Sequence, residues 1–301
     1  MLNAICSLLL VIFFHKFFRG NKMTSILKKS AAATCLAAAF VCGPAQAVPL
    51  TLEVVDSVNV NSAFGLAFDG TNIWYTTGSR TTGRIDQNSA GMAAFGSTFV
   101  APVWSAMAWT GTSLAFAQGN TVYYRSTTGV DMGTLTLGRS AGLIDGFDID
   151  GGKIYWSPDV SYAAAINAVT GVDDPGVILS PAGGLSGIER VVSGTNDWLF
   201  VVNDASSPRK ICRTLTSAPD AAFPADDCVS LPNSRYEDLA FDGRYLYAAD
   251  YYGNRIDKID LKLDGSSIFV PPGGSVPEPE SLALVGLALA GLAATRRRKI
   301  G

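Results

Sequence analysis

The feature that most constrains this chain is a turn that comes back five times. Phe68-Asp69-Gly70 precedes Ile73-Trp74-Tyr75, Trp109-Thr110-Gly111 precedes Leu114-Ala115-Phe116, and Ile149-Asp150-Gly151 precedes Ile154-Tyr155-Trp156. Val192-Ser193-Gly194 then precedes Trp198-Leu199-Phe200, and Phe241-Asp242-Gly243 precedes Tyr245-Leu246-Tyr247. The glycines are 41, 40, 43 and 49 residues apart, a period that belongs to repeat architectures. In each unit an alternating apolar strand runs into the Gly turn, a second strand leaves it, and a third follows, such as Gly83 to Asp86, Val122 to Arg125 or Arg255 to Ile259. Gly129, Gly171 and Gly265 mark turns toward a fourth, as in Thr134 to Leu137 and Gly176 to Leu179.

Four short strands in about 40 residues predict an all-β fold, a β-propeller of five four-stranded blades. The count becomes six if the extra strand Leu50 to Val55 belongs to a degenerate unit. We read that strand instead as the piece that completes the last blade, because an open ring leaves strand edges unpaired. Gly at the first turn accepts the positive φ that a tight hairpin demands. Asp69, Asp150 and Asp242 read as turn chemistry, and the recurring aromatics as the wedge between blades. Unit five, Leu246-Tyr247-Ala248-Ala249-Asp250 with Gly253-Asn254-Arg255-Ile256, resembles the NHL and related propeller repeats of exported bacterial proteins.

Both ends of the chain read as addresses. Residues 1–22 precede a second methionine and read as an over-extended start. From Met23, a basic start at Lys28-Lys29, an apolar stretch from Ser30 to Cys42 and an Ala45-Gln46-Ala47 end make a signal peptide over 23–47, with cleavage after Ala47. Its 13 apolar residues are short of the roughly 17–25 that a membrane span needs. At the other end, Val276-Pro277-Glu278-Pro279 leads into an apolar run from Leu282 to Ala294, and Arg296-Arg297-Arg298-Lys299 stops it. This tail, residues 276–301, resembles the PEP-CTERM sorting signal. The resemblance implies handling by an exosortase, a membrane protease, in the envelope of a Gram-negative bacterium. It implies transient membrane insertion of the apolar run as a single sorting helix, held by the basic cluster on the cytoplasmic side. The expected destination is the outer surface or an extracellular, exopolysaccharide-rich biofilm matrix.

The span 48–275 is left as the propeller domain. It holds 14 Lys plus Arg against 24 Asp plus Glu, so its formal charge is -10, where the whole chain shows -3. Such a body excludes nucleic acid as a partner. The one His of the chain, His15, lies in the start region, which removes His-based triads and HExxH zinc sites from consideration. Once the ends are gone, Cys212 and Cys228 are the remaining thiols and are expected to pair in an oxidising compartment.

Carboxylates are then the abundant reactive groups. Counting five and six residues back from each turn Gly gives Phe64 and Gly65, Ser105 and Ala106, Asp145 and Gly146, Ile188 and Glu189, Glu237 and Asp238. By this count Asp145, Glu189, Glu237 and Asp238 converge on one mouth of the central channel, as a Ca²⁺ site or polar pocket or as a solvated rim. Asp148 stands apart, where the other units carry Ala67, Ala108, Val191 and Ala240. No P-loop, dinucleotide fingerprint, CxxC or EF-hand loop is present. The expected role is non-enzymatic binding or scaffolding, with polysaccharide or a surface protein as partner. The rival is a calcium-dependent lactonase-like or glycosidase-like hydrolase using the same acids.

Overall fold

A computed structural model describes residues 49–269, apart from 87–90, 142, 159–161, 180–183, 204–207, 217–226 and 232. The signal peptide with Ala45 and Ala47, and the tail from Val276 to Arg298, lie outside the described residues. Among the described residues every element is a strand, and the strands form five antiparallel sheets. Blade one is β2 (Ala63–Phe68), β3 (Ile73–Thr77), β4 (Thr81–Asp86) and β5 (Ala93–Val100). Blade two is β6 (Met107–Trp109), β7 (Leu114–Arg125) and β8 (Asp131–Ala141). Blade three is β9 (Gly146–Asp150), β10 (Lys153–Ser157), β11 (Tyr162–Asn167) and β12 (Asp173–Leu179). Blade four is β13 (Leu185–Ser193), β14 (Asn196–Asn203), β15 (Arg209–Leu215) and β16 (Cys228–Leu231).

Blade five joins the two ends of the domain. Its strands β17 (Tyr236–Phe241), β18 (Leu246–Asp250) and β19 (Arg255–Leu263) come from the end of the repeat, and its outer strand is β1 (Thr51–Asn59) from the beginning. A two-residue strand, β20 (Ser266–Ser267), pairs with the end of β19. The ring therefore closes at five blades, with the N-terminal strand in the expected place and no sixth unit among the described residues. Blade two has three strands because β7 runs on through Gly119 (φ 63°), pairing with β6 at its start and β8 over its second half.

The repeated turns do what their residues dictate. Gly70, Gly111, Gly151, Gly194 and Gly243 all have positive φ, between 58° and 93°. Asp69 Oδ1 accepts the Thr71 and Asn72 N–H groups at 2.8 and 2.7 Å, and Asp242 Oδ1 accepts those of Arg244 and Tyr245 at 2.7 and 2.6 Å. The apolar residues after each turn assemble five clusters, each between neighbouring blades. Trp74 lies between blades one and two, Trp156 between two and three, and Tyr247 between five and one. Burying a large side chain in such a cluster is worth about 1.5–3 kcal/mol.

Candidate functional site at the channel mouth

The inner strands β2, β6, β9, β13 and β17 surround the axis, and their ladders fix which residues share a level. Leu66 pairs with Tyr75, Met107 with Phe116, Phe147 with Trp156, Ile188 with Val201 and Leu239 with Ala248. One residue earlier stand Gly65, Ala106, Gly146, Gly187 and Asp238. The blades touch here: a Cβ on Gly65 would lie 2.9 Å from Met107 N, and one on Gly187 2.9 Å from Asp238 Cα. Four small residues thus leave the axis to one carboxyl. Asp238 Oδ2 accepts the Leu66 N–H at 2.9 Å and the Met107 N–H at 3.2 Å, tying blade five to blades one and two. Burial pushes the Asp238 carboxyl well above the usual carboxylate range, even with these donors.

Two residues further along, on the same face of each strand, the ring reads Ala67, Ala108, Asp148, Glu189 and Ala240. The two acids repeat one bond in successive blades. Asp148 Oδ2 accepts the N–H of Arg190 in blade four at 2.9 Å, and Glu189 Oε1 accepts the N–H of Phe241 in blade five at 2.9 Å. Burial, with the Asp150 charge adding to it, raises Asp148 to about 7. Burial raises Glu189 well above its ordinary value, and the charges of Asp148 and Asp238 push the same way.

This ring is the floor of a cavity of about 860 Å³ that opens at the Gly-turn end of the channel. Trp109, Tyr124, Met132 and Phe241 stand among its walls, with the turns at Gly111, Gly151 and Gly243. The cation in the lining, Arg190, is engaged elsewhere, bonded to Asp150 at 2.6 Å and twice to Asp197 at 2.9 Å.

The five candidate acids therefore do not share one mouth. Asp148 and Glu189 line the cavity, and Asp238 lies beneath its floor. Asp145 and Glu237 are buried at the opposite ends of their strands, where Glu237 pairs with Arg235 at 3.1 Å. The alignment needs correcting at Glu189. Seven residues separate Gly187 from Gly194, against five from Gly65 to Gly70 and from Asp238 to Gly243. The β13–β14 hairpin is longer, so counting back from its turn puts Glu189 in the ring of Asp238, whereas it is level with Asp148. Among the described residues no group of three or more His, Cys, Asp or Glu is placed to hold a metal ion. Cys212 and Cys228 face each other across β15 and β16 and are disulfide-bonded.

At the far end of the channel Phe64 packs against Trp104 and Tyr251, with ring centroids 5.1 and 6.0 Å apart. Trp104 is exposed there, while Trp74 and Trp156 are core. The cavity walls, Trp109 and Phe241 in particular, were not legible as a site in the sequence. Both look like ordinary turn-flanking aromatics.

No curated protein matches the chain. Among solved structures, a glutaminyl cyclase of Myxococcus xanthus superposes with a TM-score of 0.50 at 13% identity, covering 72% of this chain and 98% of that one. A calcium-binding regucalcin of Agrobacterium tumefaciens gives 0.48 at 13% identity, covering 74% and 97%. At this identity the first likeness supports the fold alone. Residues 275–299 match the model of the PEP-CTERM protein-sorting motif, which implies export to the envelope or surface of a Gram-negative bacterium, and the body that carries this motif is a five-bladed β-propeller.

Proposed function

We propose that this exported propeller is a binding protein of the outer surface or extracellular matrix, and that the Asp148–Glu189 mouth holds its ligand. The observation that carries the reading is the walled cavity, beneath whose floor Asp238 ties the blades and whose two carboxyls are fixed by backbone donors from neighbouring blades. The matrix is the favoured destination because the sorting tail belongs to export and the acidic body does not suit nucleic acid or anionic lipid. The role is binding without catalysis. A second reading, a hydrolase, draws on one feature: a buried carboxyl held near pH 7 beside a second acid is what a general acid requires.

The test is a thermal-shift screen of the full chain against glycan, lactone, amine and Ca²⁺ panels, repeated with Glu189→Gln. Stabilisation by a panel member that the variant loses, with no turnover, supports the binding reading. Turnover of a lactone or glycan lost in the variant replaces it with the hydrolase, and a flat screen with wild type removes the mouth as a site.

A further inference from the structure

Resting on the reading of the mouth as a binding site, we infer that its ligand carries a primary ammonium group. The ammonium docks on the Asp148 and Glu189 carboxyls while the uncharged body of the ligand lies against Ala67, Ala108, Trp109 and Phe241. The ring sets this asymmetry. Three of its five positions are alanine, and the two acids are neighbours, so the mouth has one acidic side and one apolar side.

The acidic side has acceptor capacity left over. Each carboxyl spends one oxygen on a backbone N–H, and among the described residues Glu189 Oε2 receives no hydrogen bond. Beneath them Asp238 Oδ1, fully buried, is also without a partner. Two carboxyls therefore line one side of the cavity, with that of Asp238 beneath its floor, and the guanidinium at its edge is already held by Asp150 and Asp197. An anionic ligand would be repelled once these acids ionise, and a neutral one would gain nothing from their ionisation. A hard divalent cation wants six to eight oxygens, which a ring with three alanines does not supply. An ammonium needs three acceptors at most and tolerates an apolar wall on its other side.

The pH dependence has a definite sign. Asp150, Asp238, Arg190 and Tyr155 are the other titratable groups facing this pair. A bound cation favours the ionised carboxyls, so binding releases protons where Asp148 is still protonated. Affinity then rises as pH passes through about 7.

The experiment is calorimetry on the full chain with glucosamine and benzylamine as ammonium probes, N-acetylglucosamine as the neutral counterpart, and Ca²⁺. We expect both amines to bind, with heats that change between buffers of different ionisation enthalpy. Benzylamine, which stays protonated throughout, should bind about tenfold more tightly at pH 8 than at pH 6, and glucosamine, whose ammonium itself begins to deprotonate by pH 8, should show a smaller gain. Asp148→Asn and Glu189→Gln keep an acceptor for the Arg190 and Phe241 N–H groups, and each should weaken amine binding at least tenfold with an unchanged circular dichroism spectrum. Equal binding of N-acetylglucosamine, or binding of Ca²⁺ without the amines, overturns the inference and leaves the mouth as a site for other chemistry. Absence of binding by every probe overturns the inference as well. If Glu189→Gln also leaves every response in the wider panel unchanged, the reading of the mouth as a site falls with it.

Discussion

At the scale of single residues, the axis is organised by Asp238. Its neighbours in the ring are Gly65, Ala106, Gly146 and Gly187, and those small side chains make room for a carboxyl that reaches two blades away. Removing it strands the Leu66 and Met107 N–H groups in a place water does not reach, and each orphaned donor costs about 1–3 kcal/mol. Asp238→Ala should therefore lower unfolding stability by about 2–4 kcal/mol in a urea titration, and Asp238→Asn, whose amide oxygen still accepts, by clearly less. Equal stability of Asp238→Ala and wild type would show that the blades do not depend on this tie. The sequence places Asp238 on an inner strand but not on the axis, since reach across blades depends on what the other four strands leave empty. Glu189 shows the limit of counting from a turn: the two additional residues of one hairpin move an acid to another level.

At the scale of elements, the repeat was readable because each blade solves the same turn problem with the same residue type, Gly with positive φ after Asp, Thr or Ser. The closure by β1 was readable too, from the physics of unpaired edges. The continuity of β7 was not, because Leu114 to Phe116 and Val122 to Arg125 read as two separate strands, whereas one strand runs through Gly119 with a positive φ. The outer edge of blade four is where the disulfide sits. Cys212 and Cys228 are directly opposed in the β15–β16 ladder, and their bond closes a loop with a sequence separation of 16 residues. In the chain-entropy account such a loop is worth about 3 kcal/mol. The Cys212→Ala, Cys228→Ala double variant should lose about that much in denaturant unfolding, and free-thiol titration of the unfolded, unreduced secreted form, without Cys6, Cys35 and Cys42, should find no reactive thiol. Two titratable thiols would place the protein in a reducing compartment and speak against export of the body.

At the scale of the whole molecule, the chain joins an acidic body to basic ends, and the body keeps several of its acids where ionisation is costly. A carboxyl whose folded pKa is raised stabilises the fold fully below its unfolded value, and that contribution is lost as pH rises through the folded value. For Asp148 the window runs from about 4 to about 7, and within it the group alone tilts stability downward by about 1.4 kcal/mol per pH unit. Glu189 and Asp238, raised in the same direction by burial, extend the decline. The Arg190 hydrogen bond holds Asp197 below its ordinary value, so its contribution is present above about 4 and is lost on further acidification. The full chain should thus be most stable in mildly acidic solution, weakening on both sides, and the weakening between pH 5 and 8 should belong to the channel. Urea midpoints measured across that range should fall for wild type and fall less for Asp148→Asn, which cannot ionise. An ammonium ligand at saturating concentration should flatten the same limb by stabilising the ionised mouth. A wild-type midpoint that rises steadily from pH 5 to 8 would mean that the channel acids are ionised without cost, and the cavity floor would then be solvated rather than closed.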